Sequence, residues 1–127
     1  MKRLSLALGL VLFLISAALL NAHSLTNLTN ALTDILREAQ YTAEAGSRSE
    51  ALALTKQAEE KFLRYSAYLH STLNHQTIDR IRSSFSEVSE RLRWGESISA
   101  YAAANSSLLM QLQLLSEAEQ FSLKNLL

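Results

Sequence analysis

Three residues near the middle of the chain have side chains that could hold a metal ion. His70, His75 and Asp79 offer imidazole and carboxylate groups, and both groups bind Zn²⁺. His75 and Asp79 are four positions apart, a spacing that places two side chains on one face of a helix. His70 lies five positions before His75, across a polar segment that predicts a break between helices. The sequence therefore allows a metal- or small-ligand-binding helical bundle as an alternative function.

The same residues have a simpler structural interpretation, which we favour. If a helix begins near Asn74 or His75, Asp79 lies in its first turns, where negative charge suits the helix dipole. On this interpretation the cluster needs no metal. We therefore expect neither a metal nor another cofactor.

Signatures of catalysis are missing from the sequence. It contains no nucleophile motif, no glycine loop for phosphate binding and no histidine-glutamate metalloprotease motif. Cysteine is absent, which removes thiolate metal sites, disulfides, covalent haem attachment and a lipid anchor on cysteine. We therefore expect a protein that is not an enzyme.

The charge distribution bears on possible partners. The chain has 12 basic and 12 acidic residues and a formal net charge of zero, so it lacks the basic excess expected of a nucleic-acid-binding protein. The segment after His75 carries several arginines, and Glu87 precedes Arg91 by four positions. Such a pair meets on a helix surface, which predicts a solvated helix face.

The N-terminal segment predicts contact with a membrane. Lys2 and Arg3 precede seventeen uncharged residues, Leu4 to Leu20, which would form a helix about 26 Å long. This is slightly shorter than a hydrocarbon core of about 30 Å. Residues 1–24 are thus expected to be a retained signal-anchor or a signal peptide cleaved near Ser24. Either interpretation leaves the basic end in the cytoplasm and residues 25–127 outside it.

The rest of the chain has the apolar spacing of helices, in steps of three and four. Glycine is limited to three residues and proline is absent, so the chain lacks the turn residues that a β-rich fold requires. Gly46 and Gly95 are expected to end helices, and a polar break is expected at residues 74–77. The predicted apolar stripes are Leu25, Leu28, Leu32, Ile35, Ala39 and Thr42; Ala51, Leu54, Ala58, Phe62, Tyr65, Leu69 and Leu73; Ile78, Ile81, Phe85, Val88 and Leu92; and Ile98, Tyr101, Leu108, Leu112 and Leu115, widened by Leu109 and Phe121.

These features predict an all-α fold. Three short breaks between four helices favour an up-down antiparallel four-helix bundle made of two helical hairpins. A transmembrane or signal helix would precede this bundle. It could also be continuous with the first bundle helix, because nothing between Leu20 and Gly46 clearly stops a helix.

Two short motifs, in this order, resemble a known bacterial family. The first is His75-Gln76-Thr77-Ile78-Asp79, which opens the third helix. The second is the chain ending from Glu119 to Leu127, which is similar to a Ser-Leu-x-Asn-hydrophobic close. Together with the single N-terminal anchor and the chain length, they resemble the family of domain of unknown function 4363. Members usually have a tryptophan in the second helix where this chain has Phe62, and their helices are more acidic.

The resemblance covers nearly the whole chain and implies a short protein of the bacterial cell envelope, with no catalytic residues to transfer. An anchor joined to a bundle without recognisable chemistry favours a protein-interaction or structural module. Its expected partners are the membrane, through residues 4–20, and another envelope or membrane protein. We expect no nucleic-acid partner.

Overall fold

The fold is known from a computed structural model of the chain. It describes residues 2–68 and 75–126, with the side chains of residues 18, 21, 22, 68 and 119–126 outside the description. The described residues form four α-helices and no strands: α1 (Lys2–Glu44), α2 (Arg48–Tyr68), α3 (His75–Arg93) and α4 (Ile98–Leu126). The predicted all-α fold class is confirmed.

The N-terminal segment is part of α1, which runs for 43 residues from Lys2 to Glu44. The prediction of a separate N-terminal helix before the bundle is therefore wrong, and the alternative of one continuous helix is the observed arrangement. The physical reason is the absence of any glycine or proline between Leu20 and Gly46, since those residues are the strongest helix breakers. In the described part of the chain no helix is long and apolar enough to cross a membrane.

Two glycines end helices as predicted. Gly46 has φ +101° and Gly95 has φ +67°, a left-handed conformation that glycine adopts without steric cost. The backbone N–H of Ser47 donates to the carbonyl oxygen of Thr42, and the backbone N–H of Gly46 donates to the carbonyl oxygen of Ala43. These two bonds define a Schellman motif, which satisfies the last carbonyls of a helix. The turn sequences thus fix where α1 and α3 stop.

Packing contacts and hydrogen bonds show how the helices run relative to one another. Helix α1 packs against α2 and α4, and α3 also packs against both of them. Along α1, Thr26 lies next to Ser116, whereas Leu36 accepts a hydrogen bond from Asn105. Rising numbers on α1 meet falling numbers on α4, so these two helices are antiparallel.

The hydrophobic core lies between the helices, and among the described side chains it begins at Leu25. All five residues of the predicted α3 stripe are buried, and the rings of Phe62 and Phe85 lie 5.9 Å apart at their centroids. Several predicted positions are only partly buried at the rim of the core: Leu28, Ile35, Leu54, Tyr65, Ile98 and Leu109. The predicted core residues Leu69, Leu73 and Phe121 lie outside the described side chains. Buried residues absent from the predicted stripes include Leu36, Ala43, Thr55, Ala104 and Asn105.

Candidate interaction groove

Two adjoining depressions follow the seam between α1 and α4. One has a volume of about 840 Å³ and the other about 350 Å³. They share three lining residues, Arg37, Ser106 and Leu109, and we call them together the α1–α4 groove. The remaining lining residues are Thr26, Thr29, Asn30, Thr33, Asp34, Met110, Gln113, Ser116 and Glu117 in the larger depression, and Gln40, Tyr41 and Glu44 in the smaller one.

A buried amide joins the two helices beside the groove. Asn105 is fully buried, and its Nδ2 donates to the carbonyl oxygen of Leu36 at 3.1 Å and to Oε1 of Gln40 at 3.0 Å. Gln40 in turn donates through Nε2 to Oε1 of Glu44 at 3.2 Å. The amide of Gln40 therefore links a fully buried side chain to an exposed carboxylate. Because a buried polar group needs its partners, these bonds fix the register of α4 against α1.

A buried phenol lies one turn before this amide. Tyr101 is fully buried, and its hydroxyl has no hydrogen-bond partner among the described residues. Burial, with a smaller contribution from the negative charge of Glu44, raises the pKa of Tyr101 to about 12. Both causes act in the same direction because each disfavours the phenolate. The Tyr101 phenol thus stays neutral at physiological pH, which suits a core residue and not a general base.

Charged groups are distributed along the groove. Its lining carries three carboxylates, on Asp34, Glu44 and Glu117, against one guanidinium, on Arg37. Asp34 and Glu117 are exposed. The formal charge of the lining is therefore −2, in a chain whose net charge is zero. This sign favours a cationic ligand or partner.

The groove also presents apolar surface. Met110 is 64% exposed, and Leu109 is partly buried against the core. Hydroxyl and amide side chains surround these two residues. Methionine adapts its shape readily to a contacting surface. The groove therefore combines a small apolar centre with polar surroundings.

The predicted surface pair on α3 is present. Arg91 donates to Glu87 at 3.0 Å and to Glu96 at 2.6 Å. The hydrogen bond to Glu87 has the largest effect and raises the pKa of Arg91; desolvation opposes it, and the charges of Glu96 and Glu87 raise this pKa further. Arg48 meanwhile donates to the carbonyl oxygen of Glu96, so the start of α2 is held against the turn between α3 and α4. These charges serve the structure of that turn.

The structure describes two of the three predicted metal ligands, His75 and Asp79. His75 is the first residue of α3 and is exposed, and Asp79 is exposed one turn later. His70 lies outside the described residues. Among the residues described, no group of three or more acidic, histidine or cysteine side chains is placed to hold a metal ion. The start of α3 at His75 matches the structural interpretation of this segment.

The predicted apolar stripes did not include Asn105, although its position in the sequence indicates a buried polar contact beside the groove. Asn105 stands among apolar residues of α4, four positions after Tyr101 and three before Leu108. An amide at that spacing shares the buried face of the helix and predicts a polar contact inside the core. The lining residues themselves gave no such signal, because ordinary polar residues of a helix surface follow no distinctive pattern.

Comparisons with known proteins identify the family. A family model described as "Domain of unknown function (DUF4363)" matches residues 19–126. The curated proteins and the solved structures contain no match to the chain. The family match covers 108 of the 127 residues and includes α2, α3, α4 and the packed part of α1. The chain therefore belongs to the family of domain of unknown function 4363.

Proposed function

We propose that this protein is a membrane-tethered helical module of the cell envelope that acts by binding another envelope component, without catalysis. The carrying observation is the N-terminal half of α1. Its large apolar side chains are exposed except for the half-buried Ile15, with Leu4 80% and Phe13 69% exposed. An uncovered apolar surface of this kind marks contact with a membrane or another protein.

The position of this segment within α1 supports a tether. The same helix passes from uncovered residues into the bundle, where Leu25 is the first buried residue among its described side chains. A continuous helix is stiff, so a membrane holding residues 4–20 also holds the bundle close to its surface. The segment is slightly shorter than a typical hydrocarbon core, a mismatch that local thinning of the bilayer accommodates.

The basic start of the chain supports an orientation. Lys2 and Arg3 precede the apolar segment, and basic residues flanking such a segment stay on the cytoplasmic side. The bundle then lies outside the cytoplasm, where the α1–α4 groove is available to other envelope proteins. If the segment is cleaved near Ser24, the bundle is instead a free secreted domain.

The test is retention of the full chain in membranes. We expect the protein to resist an alkaline carbonate wash and to have a mass that includes residues 1–24. A Leu12→Glu/Leu14→Glu variant should be released, because each charge costs about 2.5–3.5 kcal/mol within a membrane helix. The matched control is Trp94→Glu, which changes an exposed residue outside the segment and should stay bound. A wild-type protein that washes off, or a mature form starting at Leu25, would refute the tether.

A further inference from the structure

We propose that the α1–α4 groove binds a basic amphipathic helix of a membrane-protein partner. This inference rests on the proposed function, since it identifies the surface and the partner chemistry of that interaction. Its basis is the shape of the groove, the sign of its charge and its place next to the uncovered apolar part of α1. The shape restricts the length and fold of the partner segment, the charge restricts its sign, and the location restricts where the partner lies.

The shape of the groove fits a helix. Its lining runs on α1 from Thr26 to Glu44, a distance of about 27 Å along a helix axis. A helix of about 18 residues has the same length. The seam between two packed antiparallel helices receives a third helix in the common helix-in-groove mode of recognition. The groove is thus long enough for about five turns of a partner helix.

The charges of the groove specify a basic partner. Glu117 lies near the Thr26 end, because its neighbour Ser116 meets Thr26 at 3.4 Å. Asp34 lies in the middle of the lining on α1, and Glu44 lies at the far end. Three carboxylates are therefore spaced along the groove, and the one opposing charge in its lining, on Arg37, lies between Asp34 and Glu44. Lysine or arginine residues about two to three turns apart on a partner helix would each find an opposite charge, which steers association and fixes register.

The apolar centre requires an amphipathic partner. Met110 and Leu109 lie between the charged positions, so a helix that fills the groove must bring an apolar stripe to them. Helix α3 of a second copy is a poor occupant, although it is rich in arginine. Every exposed residue of α3 is polar or charged, so this helix has no apolar stripe to place on Met110.

The location of the groove points to a partner in the same membrane. The lining starts at Thr26, directly after Leu25, where α1 passes from its exposed apolar part into the bundle. The Thr26 end of the groove therefore opens at the level of the tether. A helix that emerges from the membrane beside α1 would enter the groove without a long linker.

The first experiment measures peptide binding to the full chain in a non-ionic detergent. The probe is a fluorescent 18-residue peptide of leucine and lysine with an amphipathic helical pattern, and its partner probe has glutamate in place of lysine. We expect the lysine peptide to bind and the glutamate peptide to bind at least about tenfold more weakly, a difference of about 1.4 kcal/mol.

Charge reversal locates the binding. Asp34→Lys/Glu117→Lys should weaken binding of the lysine peptide by about tenfold or more. The control is Glu60→Lys/Glu90→Lys, which changes two exposed residues on α2 and α3 and should alter the affinity by less than about twofold. Circular dichroism should show the same helical signal for all variants, because the changed side chains are exposed.

A crosslinking readout separates the occupants. A benzoylphenylalanine at position 110 should capture the lysine peptide, whereas one at position 90 should not. The proposal is overturned by equal affinity for both peptides, by indifference to the Asp34 and Glu117 reversal, or by crosslinking of position 110 to a second copy of the chain. Because binding is measured in detergent, these outcomes are independent of membrane retention, so failure of the groove and failure of the tether are distinguishable.

Discussion

Asn105 and Tyr101 are the two large polar side chains that α4 places inside the core, and they differ in how their polar atoms are satisfied. The Asn105 amide nitrogen has two acceptors on α1, whereas the Asn105 Oδ1 and the Tyr101 hydroxyl have no partner among the described residues. A buried amide bonded in this way opposes sliding of one helix along another, because sliding would leave it unpaired. Asn105 therefore sets the relative position of the residues that line the α1–α4 groove.

The Tyr101 hydroxyl provides a test at the residue scale. Because the phenol ring fills the core while its hydroxyl lacks a described partner, Tyr101→Phe should keep the packing and remove an unsatisfied group. We expect the free energy of unfolding at pH 7 to stay the same or to rise by up to about 1 kcal/mol. Denaturant titration of the full chain measures this difference. A loss of 2 kcal/mol or more would mean that the hydroxyl is bonded.

The same variant should change the alkaline pH dependence. The pKa of Tyr101 is raised from 10.0 to about 12 in the folded chain, so the folded state holds this proton more tightly than the unfolded state. The resulting stability is fully present below pH 10 and is lost as the pH rises towards 12. Wild type should therefore lose more stability than Tyr101→Phe between pH 9 and pH 11. Parallel curves for the two proteins would contradict this.

At the scale of elements, the helix ends were the most predictable feature of the chain. Gly46 and Gly95 follow long apolar stripes, and glycine directly after such a stripe favours a helix end. Both glycines have positive φ in the structure. The boundary within α1 between the apolar N-terminal segment and the bundle was harder to predict. The helix backbone continues across this boundary, and only the surroundings of the side chains change.

Replacing Gly46 by alanine tests the importance of this helix end. Apart from Gly46 itself and its two chain neighbours, no atom lies within 4 Å of the position that an added Cβ would occupy, and φ is +101°. The cost is therefore conformational and does not come from crowding by packed neighbours. We expect Gly46→Ala to lower the free energy of unfolding by about 1–2 kcal/mol. Gly9→Ala is the matched control, because Gly9 has equal space but lies within α1. Thermal unfolding followed by circular dichroism compares the two, and equal melting temperatures would exclude a strained turn.

At the scale of the whole molecule, the apolar periodicity predicted the core better than it predicted the groove. The stripe of α3 is buried at every predicted position, because a period of three and four defines one face of a helix. The α1–α4 groove depends on which exposed faces become neighbours, and on the register between them. The choice of neighbouring faces and the register between them follow from long-range packing and from the Asn105 hydrogen bonds. The apolar pattern of a single helix contains no information on either. The α1–α4 groove could therefore be recognised only from the structure.

The core itself gives the last prediction, because Phe85 joins two helices at its centre. Its side chain is fully buried, and its ring packs at 5.9 Å from the ring of Phe62 on α2. Phe85→Ala removes most of the ring and leaves a cavity that the rigid neighbours fill only in part, a change that costs about 3–5 kcal/mol.

The control for Phe85→Ala is another aromatic residue of the same region of the chain. Trp94 is 75% exposed, so Trp94→Ala should change the free energy of unfolding by less than about 0.5 kcal/mol. Denaturant unfolding of the full chain, followed by its helical signal, measures both variants. A Phe85→Ala protein as stable as Trp94→Ala would mean that α2 and α3 do not share this core, and the arrangement of the four helices would then be wrong.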